Sequence, residues 1–172
     1  MKRHIVLIGL PGSGKTAVGR MAAEQLGADF VDIDAIIERR EGRPISLIFA
    51  EKGEAAFRDM ERKEMETALA SAPAVIAPGG GWAAQPGAID AAKPHALLIY
   101  LYARPETAAQ RAVPEGTRPL LMGEDPVGRM RQLQKEREPF FRVAHAQIDA
   151  ERKSMSQVAN EVVRLAQSSA GW

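Results

Sequence analysis

The chain has 172 residues, 45% of them hydrophobic and 26% charged, which is typical of one compact globular domain with one sizeable core. Its 23 basic and 22 acidic residues give a net charge of +1, so no basic excess points to nucleic acid as a partner. The absence of cysteine excludes disulfides, thiolate metal sites and cysteine catalysis, and it is compatible with the cytoplasmic location that we expect.

The first half of the chain alternates short apolar runs with helical patterns. The run at 5–8 predicts a buried parallel strand, and a glycine-rich loop then leads into a helix that Gly27 ends. The elements predicted here are strands at 5–8, 29–32 and 74–77 and helices at 16–26, 35–40, 45–50 and 54–69.

The second half continues the same alternation. Its longest apolar stretch, 96–103, is far too short to span a membrane, so we expect no membrane partner. The elements predicted here are strands within 95–102 and at 147–149, a loop at 113–125, and helices at 105–111, 126–143 and 156–167. Pro139 should bend or interrupt the helix at 126–143. The alternation predicts an α/β fold with a parallel sheet, helices on both faces, and one domain over residues 1–172.

The sequence GLPGSGKT at 9–16 matches the phosphate-binding loop pattern G-x-x-x-x-G-K-[ST]. Glycines let backbone N–H groups turn inward around phosphates, and the following helix points its positive N-terminal end at the anion. We expect Lys15 to reach the β- and γ-phosphates and the Thr16 hydroxyl to ligate Mg²⁺. A chance glycine-rich turn is disfavoured because the motif lies between an apolar strand and a helix. The motif alone does not separate a kinase from a GTPase or an ATPase.

Two carboxylates, Asp32 and Asp34, stand at the end of the second predicted strand. The carboxyl ends of strands form the ligand crevice in open α/β sheets. One carboxylate is suited to hold Mg²⁺ through water, and the other to accept a proton or hydrogen bond from a substrate hydroxyl. The pattern fits a helix cap at Asp34 equally well, so both interpretations stay open at this point.

Glu54, Arg58 and Glu61 lie near one face of a predicted helix. This spacing is typical of a surface charge ladder, and the functional alternative is that Arg58 holds a carboxylate in bidentate fashion. Three consecutive glycines at 79–81 follow a predicted strand. Because such a run is costly in entropy, we favour close approach of backbone N–H groups to a ligand over a flexible turn.

Three arginines in the second half are candidates for binding anions. Arg118 lies in the loop rich in Pro and Gly, where it would act as a lid residue that neutralises charge in the transition state. Arg111 precedes that loop, and Arg137 stands in the segment REPFFR. Solvated surface arginines are the alternative for all three, and no spacing argument decides between the two.

Taken in order, these motifs resemble shikimate kinase over nearly the whole chain. The motifs that carry the resemblance are GLPGSGKT at 9–16, DID at 32–34, GRPISLIF at 42–49, GEAAFRDME at 53–61, GGG at 79–81, RPLL at 118–121 and REPFF at 137–141. The resemblance implies a three-layer α/β/α P-loop NTPase fold of the nucleoside-monophosphate-kinase type with a five-stranded parallel sheet. It implies transfer of the γ-phosphoryl of ATP, with Mg²⁺, to the 3-hydroxyl of shikimate, on the route to chorismate and aromatic amino acids.

The resemblance also implies roles for individual residues. The residues that would hold ATP are Gly12, Ser13, Gly14, Lys15, Thr16, Ala17, Arg111, Arg118 and, in a loosely matching adenine loop, Arg152. The residues that would bind shikimate are Asp34, Arg58, Gly79, Gly80, Gly81 and Arg137. The catalytic residues would be Asp34, Lys15 and Arg118, while Thr16 and Asp32 would hold the metal. The lid would span about 112–125, the helical acceptor-binding region about 33–62, and the protein would be a monomer.

Four positions depart from the pattern of that family. Ala17 stands where a second hydroxyl residue is usual, which should weaken ATP binding, and Ile33 replaces a threonine. Phe141 stands where tyrosine is common, so one polar contact is absent. Trp82 either narrows the substrate pocket or packs on the surface. Two alternatives stay open: a kinase for another hydroxy acid, such as gluconate or quinate, and a sensor without catalysis.

Overall fold

The computed structural model describes residues 1–112 and 125–172. Five strands form one parallel sheet in the order β2-β3-β1-β4-β5. The strands are β1 (His4–Ile8), β2 (Phe30–Asp32), β3 (Val75–Ala77), β4 (Ala96–Tyr102) and β5 (Ala146–Asp149). This sheet confirms the predicted five-stranded parallel α/β architecture.

Helices cover the sheet on both faces. They are α1 (Lys15–Leu26), α2 (Ile33–Glu41), α3 (Ile45–Ala70), α4 (Ala88–Ala92), α5 (Pro105–Ala112), α6 (Pro126–Phe141) and α7 (Met155–Ser169), with a 3₁₀ turn at Trp82–Ala84. The 3₁₀ turn and α4 were not among the predicted elements, because neither is long enough to show an apolar period.

The core lies on both sides of β1, the central strand. Ile5 and Leu7 pack on one face against buried residues of α1 and α7, including Val18 and Val158. The alternate residues Val6 and Ile8 pack on the other face against residues of α2, α3, α5 and α6. Burial on both faces explains why β1 is a continuous apolar run, as is typical of parallel sheets.

The long helix α3 is interrupted at one glycine. Gly53 has φ 85° and ψ 167°, which lie outside the helical region, so Ile45–Ala70 contains two helical pieces in one element. The separate helices predicted at 45–50 and 54–69 correspond to these pieces. A side chain would be strained at this φ, which is why glycine stands there.

Helix α6 continues through Pro139 and ends two residues later, so the predicted interruption is wrong. Proline removes one backbone donor, but the Arg142 N–H donates to the Glu138 carbonyl at 3.0 Å and closes the last turn. The side chain of Asp125 caps the start of this helix by accepting from the Gly128 N–H at 2.9 Å.

The predicted lid arginine Arg118, with all of its loop before residue 125, lies outside the described residues. Within 1–112 and 125–172, no helix is both long and apolar enough to cross a membrane.

Candidate active site

The phosphate-binding loop connects the central strand to α1. Gly14 stands immediately before α1 with φ 100°, and it offers no side chain to cap the first turn of that helix. The first N–H groups of a helix need an acceptor, and here an anion at the loop is placed to supply it. The start of helix α1 and the glycine-rich turn together therefore have the geometry that an anion site requires.

Two other elements hold this loop from the sides. A Cβ on Gly12 would collide with the Ala108 carbonyl of α5, and one on Gly14 would lie 2.7 Å from the Met155 sulfur at the start of α7. No residue with a side chain fits at either position without displacing a neighbour. The loop is thus held close to α5 and α7, which fixes where phosphates would lie.

Some side chains of this loop are buried and others are exposed to solvent. Lys15 is only 7% exposed, and its Nζ donates to the carbonyls of Gly9 at 2.9 Å and Leu10 at 2.8 Å. The Ser13 hydroxyl is buried and has no hydrogen-bond partner among the described residues. Thr16 and Ala17 are exposed. A buried ammonium and an unsatisfied hydroxyl suit a site that receives phosphate oxygens.

Asp32, rather than Asp34, caps helix α2. The Ala35 N–H donates to Asp32 Oδ1 at 3.2 Å, so the cap interpretation of Asp34 is wrong. Asp34 lies in the first turn of α2, partly buried. Its Oδ1 lies 2.9 Å from the point where a Cβ of Gly79 would stand. The Asp34 carboxylate therefore faces the segment that follows β3.

Mg²⁺ is the metal that the family resemblance implies. Among the described residues, no group of three His, Cys, Asp or Glu side chains is arranged to hold a metal ion. Mg²⁺ usually keeps several waters and uses one or two protein oxygens together with substrate phosphates, so the absence of a protein cage is compatible with it. The exposed hydroxyl of Thr16 and the second carboxylate oxygen of Asp32 fit that donor set.

Arg58 and Glu61 form an ion pair inside the protein. Arg58 Nη1 donates to Glu61 Oε1 at 3.0 Å, and the side chains are 14% and 0% exposed. The surface-ladder interpretation is therefore wrong for this pair. A surface charge ladder does exist on the same helix, where the exposed Arg62 pairs with Asp59 and Glu66.

Glu61 is the site residue that the sequence reasoning left out. Its Oε2 lies 2.5 Å from the point where a Cβ of Gly79 would stand, and it has no hydrogen-bond partner in the described parts of the chain. Burial raises the pKa of Glu61, Arg58 lowers it and the nearby Asp34 raises it, and the resulting pKa is about 7. A signal was present, because Glu61 is four residues from both Phe57 and Met65, which are buried on the same helix face.

Arg137 brings a second cation to the same place from α6. It is 7% exposed, and burial together with the neighbouring Arg58 lowers its pKa to about 10. Its Nη1 lies 3.2 Å from the point where a Cβ of Gly80 would stand. Two arginines that disfavour each other's charge create a site that an anion would stabilise.

Each of the three consecutive glycines touches a different group. A Cβ at Gly79 would meet the carboxylates of Glu61 and Asp34, and one at Gly80 would lie 2.9 Å from Pro11 Cδ as well as close to Arg137. A Cβ at Gly81 would lie 2.7 Å from Cζ of Arg58. The run exists because backbone must pass close to all these groups.

Gly80 also links the two halves of the site. Pro11 belongs to the phosphate-binding loop and Arg137 to the arginine pair, and both lie against this one glycine. The described residues therefore bring together Asp34, Arg58, Arg137 and the three glycines, directly beside the loop.

The remaining predicted nucleotide contacts lie at the edges of the loop. Arg111 is in the last turn of α5, and its Nη1 is buried without a hydrogen-bond partner in the described residues. Arg152 is exposed between β5 and α7, three residues before the Met155 side chain that packs on the loop. Each arginine is close in the chain to a residue that packs on the loop, Ala112 or Met155, and neither is part of the arginine pair.

Two departures from the family pattern are explained by packing. Trp82 is 3% exposed, so its surface interpretation is wrong; it lines a cavity of about 330 Å³ between α3 and the segment that leads into α4. Phe141 is fully buried with its ring centroid 4.9 Å from that of Tyr100. The Tyr100 hydroxyl donates to Glu138 Oε2 at 2.5 Å, so a polar contact exists here without a tyrosine at 141.

A five-stranded parallel sheet in the order β2-β3-β1-β4-β5, whose central strand leads into the sequence GKT, is a P-loop NTPase fold of the nucleoside-monophosphate-kinase type. A family model described as shikimate kinase matches residues 11–167. The shikimate kinase of Symbiobacterium thermophilum is 44% identical over 167 residues, which are 95% of this chain and 96% of that protein. The chain belongs to the shikimate kinase family.

Solved structures agree with this assignment. The shikimate kinase from Acinetobacter baumannii in complex with shikimate has a TM-score of 0.93 at 36% identity, over 98% of this chain and 94% of that one. A gluconokinase from Sinorhizobium meliloti has a TM-score of 0.67 at 19% identity, over 99% of this chain and 94% of that one. At that identity, the second likeness concerns the fold alone.

Proposed function

We propose that this chain transfers the γ-phosphoryl group of ATP to the 3-hydroxyl of shikimate, giving ADP and shikimate 3-phosphate. The observation that carries the proposal is Gly80, which lies against Pro11 of the phosphate-binding loop on one side and against Arg137 on the other. A nucleotide on the loop and an anionic acceptor on the arginines would then be neighbours. Phosphoryl transfer depends mainly on such positioning and on charge neutralisation.

In this proposal, the acceptor is held by its carboxylate and its hydroxyls. Arg58 and Arg137 bind the carboxylate, because a guanidinium can donate two parallel hydrogen bonds to it. The backbone N–H of Gly80, with Gly79 and Gly81 beside it, approaches the ring. Asp34 holds ring hydroxyls and accepts the proton of the attacking one.

On the nucleotide side, residues 12–17 surround the phosphates. Lys15 leaves its present carbonyl partners, or shares its three protons with them, to contact the β- and γ-phosphates. Thr16 would hold Mg²⁺ directly and Asp32 would hold it through water; when bound, the ion would neutralise charge on the phosphate oxygens. Arg111 and Arg152 lie at the nucleotide edges, and the lid role of Arg118 stays a prediction from the sequence.

We also propose that the protein acts as a monomer in the cytoplasm, where ATP and Mg²⁺ are available. The proposed transfer needs no residue from a second copy of the chain. Light scattering behind a size-exclusion column measures the mass directly. A mass near 18.7 kDa at enzymatic concentrations is expected, and a stable dimer would contradict the proposal.

The product identifies the reaction. Purified protein with ATP, Mg²⁺ and shikimate should convert the ³¹P signals of ATP into those of ADP and of one phosphomonoester coupled to the ring proton at C3. Lys15→Ala is the matched control and should give neither product. Release of inorganic phosphate without a phosphomonoester would contradict the proposed function.

A further inference from the structure

Glu61 is a buried carboxylate to which the proposed transfer assigns no chemical step. Its side chain has no exposed surface. One oxygen, Oε1, accepts from Arg58; the other, Oε2, is turned toward Gly79 and has no hydrogen-bond partner within residues 1–112 and 125–172. A buried carboxylate oxygen without a donor is a natural place for a proton.

The charged groups around Glu61 come from three helices. Asp34 faces it from α2, Arg58 from its own helix α3, and Arg137 from α6. Two carboxylates thus share one site with two guanidinium groups. Burial and Asp34 both favour the neutral form of Glu61, whereas the two arginines favour the charged form, and the resulting pKa is about 7.

An acceptor carboxylate changes this balance. Once it lies on Arg58 and Arg137, the site contains a third negative charge for the same two cations, and the acceptor also displaces water. The arginines then compensate Glu61 less than in the free protein. Protonation of Glu61 removes one of the three negative charges, and it requires no movement because this side chain already lies in the site.

We propose that acceptor binding is coupled to the uptake of one proton from solvent, and that Glu61 is the group that receives it. The step forms one O–H bond on Glu61 and breaks none in the substrate; the proton returns to solvent when the phosphorylated product leaves. Asp34 keeps its separate task at the attacking hydroxyl. The inference rests on the proposed function, since it requires a carboxylate on the two arginines.

The sign of the pH dependence follows from this coupling. Binding favours protonated Glu61, so affinity is highest below the pKa of the free protein and falls as the pH rises above it. With that pKa at about 7, we expect uptake of about half a proton per bound shikimate at pH 7 and more at pH 8. The Kd for shikimate should rise by up to about tenfold per pH unit between pH 7 and 9.

Isothermal titration calorimetry tests the inference with the full chain and no nucleotide. Shikimate is titrated at pH 8 in HEPES and in Tris, whose heats of protonation differ, so proton uptake appears as a difference between the two heats. Glu61→Gln keeps the size and a carbonyl acceptor for Arg58 but cannot titrate. This variant should give equal heats in both buffers and a Kd that is flat from pH 7 to 9. Glu66→Gln, an exposed carboxylate on the same helix, should behave as the wild type.

Several results would overturn the inference. Equal heats in the two buffers for the wild type would do so, and so would undiminished uptake in Glu61→Gln. If that variant fails to fold, ¹³C NMR of the wild type with labelled glutamate carboxyls decides instead. One resonance should titrate near pH 7 in the free protein and at higher pH with shikimate, and its failure to move would overturn the inference. Normal phosphoryl transfer together with shikimate binding that takes up no proton would contradict this inference alone, whereas absence of any shikimate binding would contradict the proposed function with it.

Discussion

The guanidinium of Arg58 lies against the backbone of Gly81, so that a Cβ on this glycine would stand 2.7 Å from Cζ and 2.8 Å from Nη1. Real Cβ atoms essentially never approach other atoms so closely, and Arg58 is also tied to Glu61 at 3.0 Å. The position of this arginine therefore depends on the absence of one side chain.

Gly81→Ala should consequently displace Arg58 and weaken acceptor binding. Because a charge-assisted hydrogen bond contributes about 1.5–3 kcal/mol, we expect the KM for shikimate to rise roughly tenfold or more, with the KM for ATP unchanged. Steady-state kinetics with each substrate varied in turn measure this.

Gly87→Ala is the control for that substitution. Gly87 lies six residues further along, and a Cβ there would meet nothing within 4 Å, although its φ of 76° strains any side chain. The Gly87→Ala variant should lose about 1 kcal/mol of stability, and its KM values should stay those of the wild type. Equal KM changes in both variants would contradict the steric account.

Asp34→Asn should remove turnover while ATP affinity stays close to that of the wild type. An amide keeps the shape of the side chain but cannot accept the hydroxyl proton, so kcat should fall by about 100-fold or more. Rapid-quench kinetics and nucleotide binding measure the two quantities. Asp90→Asn, which changes an exposed carboxylate in α4, is the matched control. A near-normal rate in Asp34→Asn would show that another group, or none, accepts the proton.

Arg58→Ala should mainly raise the KM for shikimate, since it removes a contact that is made before the transition state as well as in it. The expected rise is roughly ten- to a hundredfold. Arg62→Ala truncates an exposed arginine one turn along the same helix and should leave the kinetics unchanged. If Arg58→Ala lowered kcat and left KM unchanged, the carboxylate-binding role would be wrong.

Tyr100→Phe should reduce stability. The hydroxyl donates to Glu138 at 2.5 Å and accepts from Gln134 at 3.1 Å, and together these bonds connect β4 to α6. Removal of the hydroxyl leaves Glu138 and Gln134 without this partner, which should lower the free energy of unfolding by about 1–3 kcal/mol. Urea denaturation measures the difference, and Tyr102→Phe on the same strand should change stability by less than about 0.5 kcal/mol. Equal losses in both variants would contradict this role.

The sequence could predict the sheet and the phosphate-binding loop because both depend on local patterns. The apolar run of β1 and the loop at 9–16 can each be recognised from the local sequence, without knowing which residues pack against them. The interpretation of Asp32 and Asp34 failed to separate cap from site for the opposite reason. β2 ends at Asp32 and α2 begins at the next residue, so the residue that caps α2 is Asp32, two positions before the cap candidate Asp34.

Glu61 shows a different limit. Its spacing from Arg58 is the spacing of ordinary surface ion pairs, and nothing in that pair alone indicates burial. Only the apolar residues four positions away on each side place it on the inner face of α3. The three glycines were predicted to approach a ligand, which stays a prediction. The protein groups that they do approach come from α2, α3, α6 and the phosphate-binding loop, and these become neighbours only in the folded chain.

We propose above all that the arginine pair and Asp34 form an acceptor site for shikimate beside the nucleotide loop. Its most direct test is kcat/KM measured side by side for shikimate, quinate and gluconate, with ATP and Mg²⁺ saturating and the protein shown to be folded. We expect rapid phosphorylation of shikimate and a kcat/KM for each of the other two acids that is lower by a wide margin. Equal or better use of quinate or gluconate, or no transfer to shikimate, would contradict it.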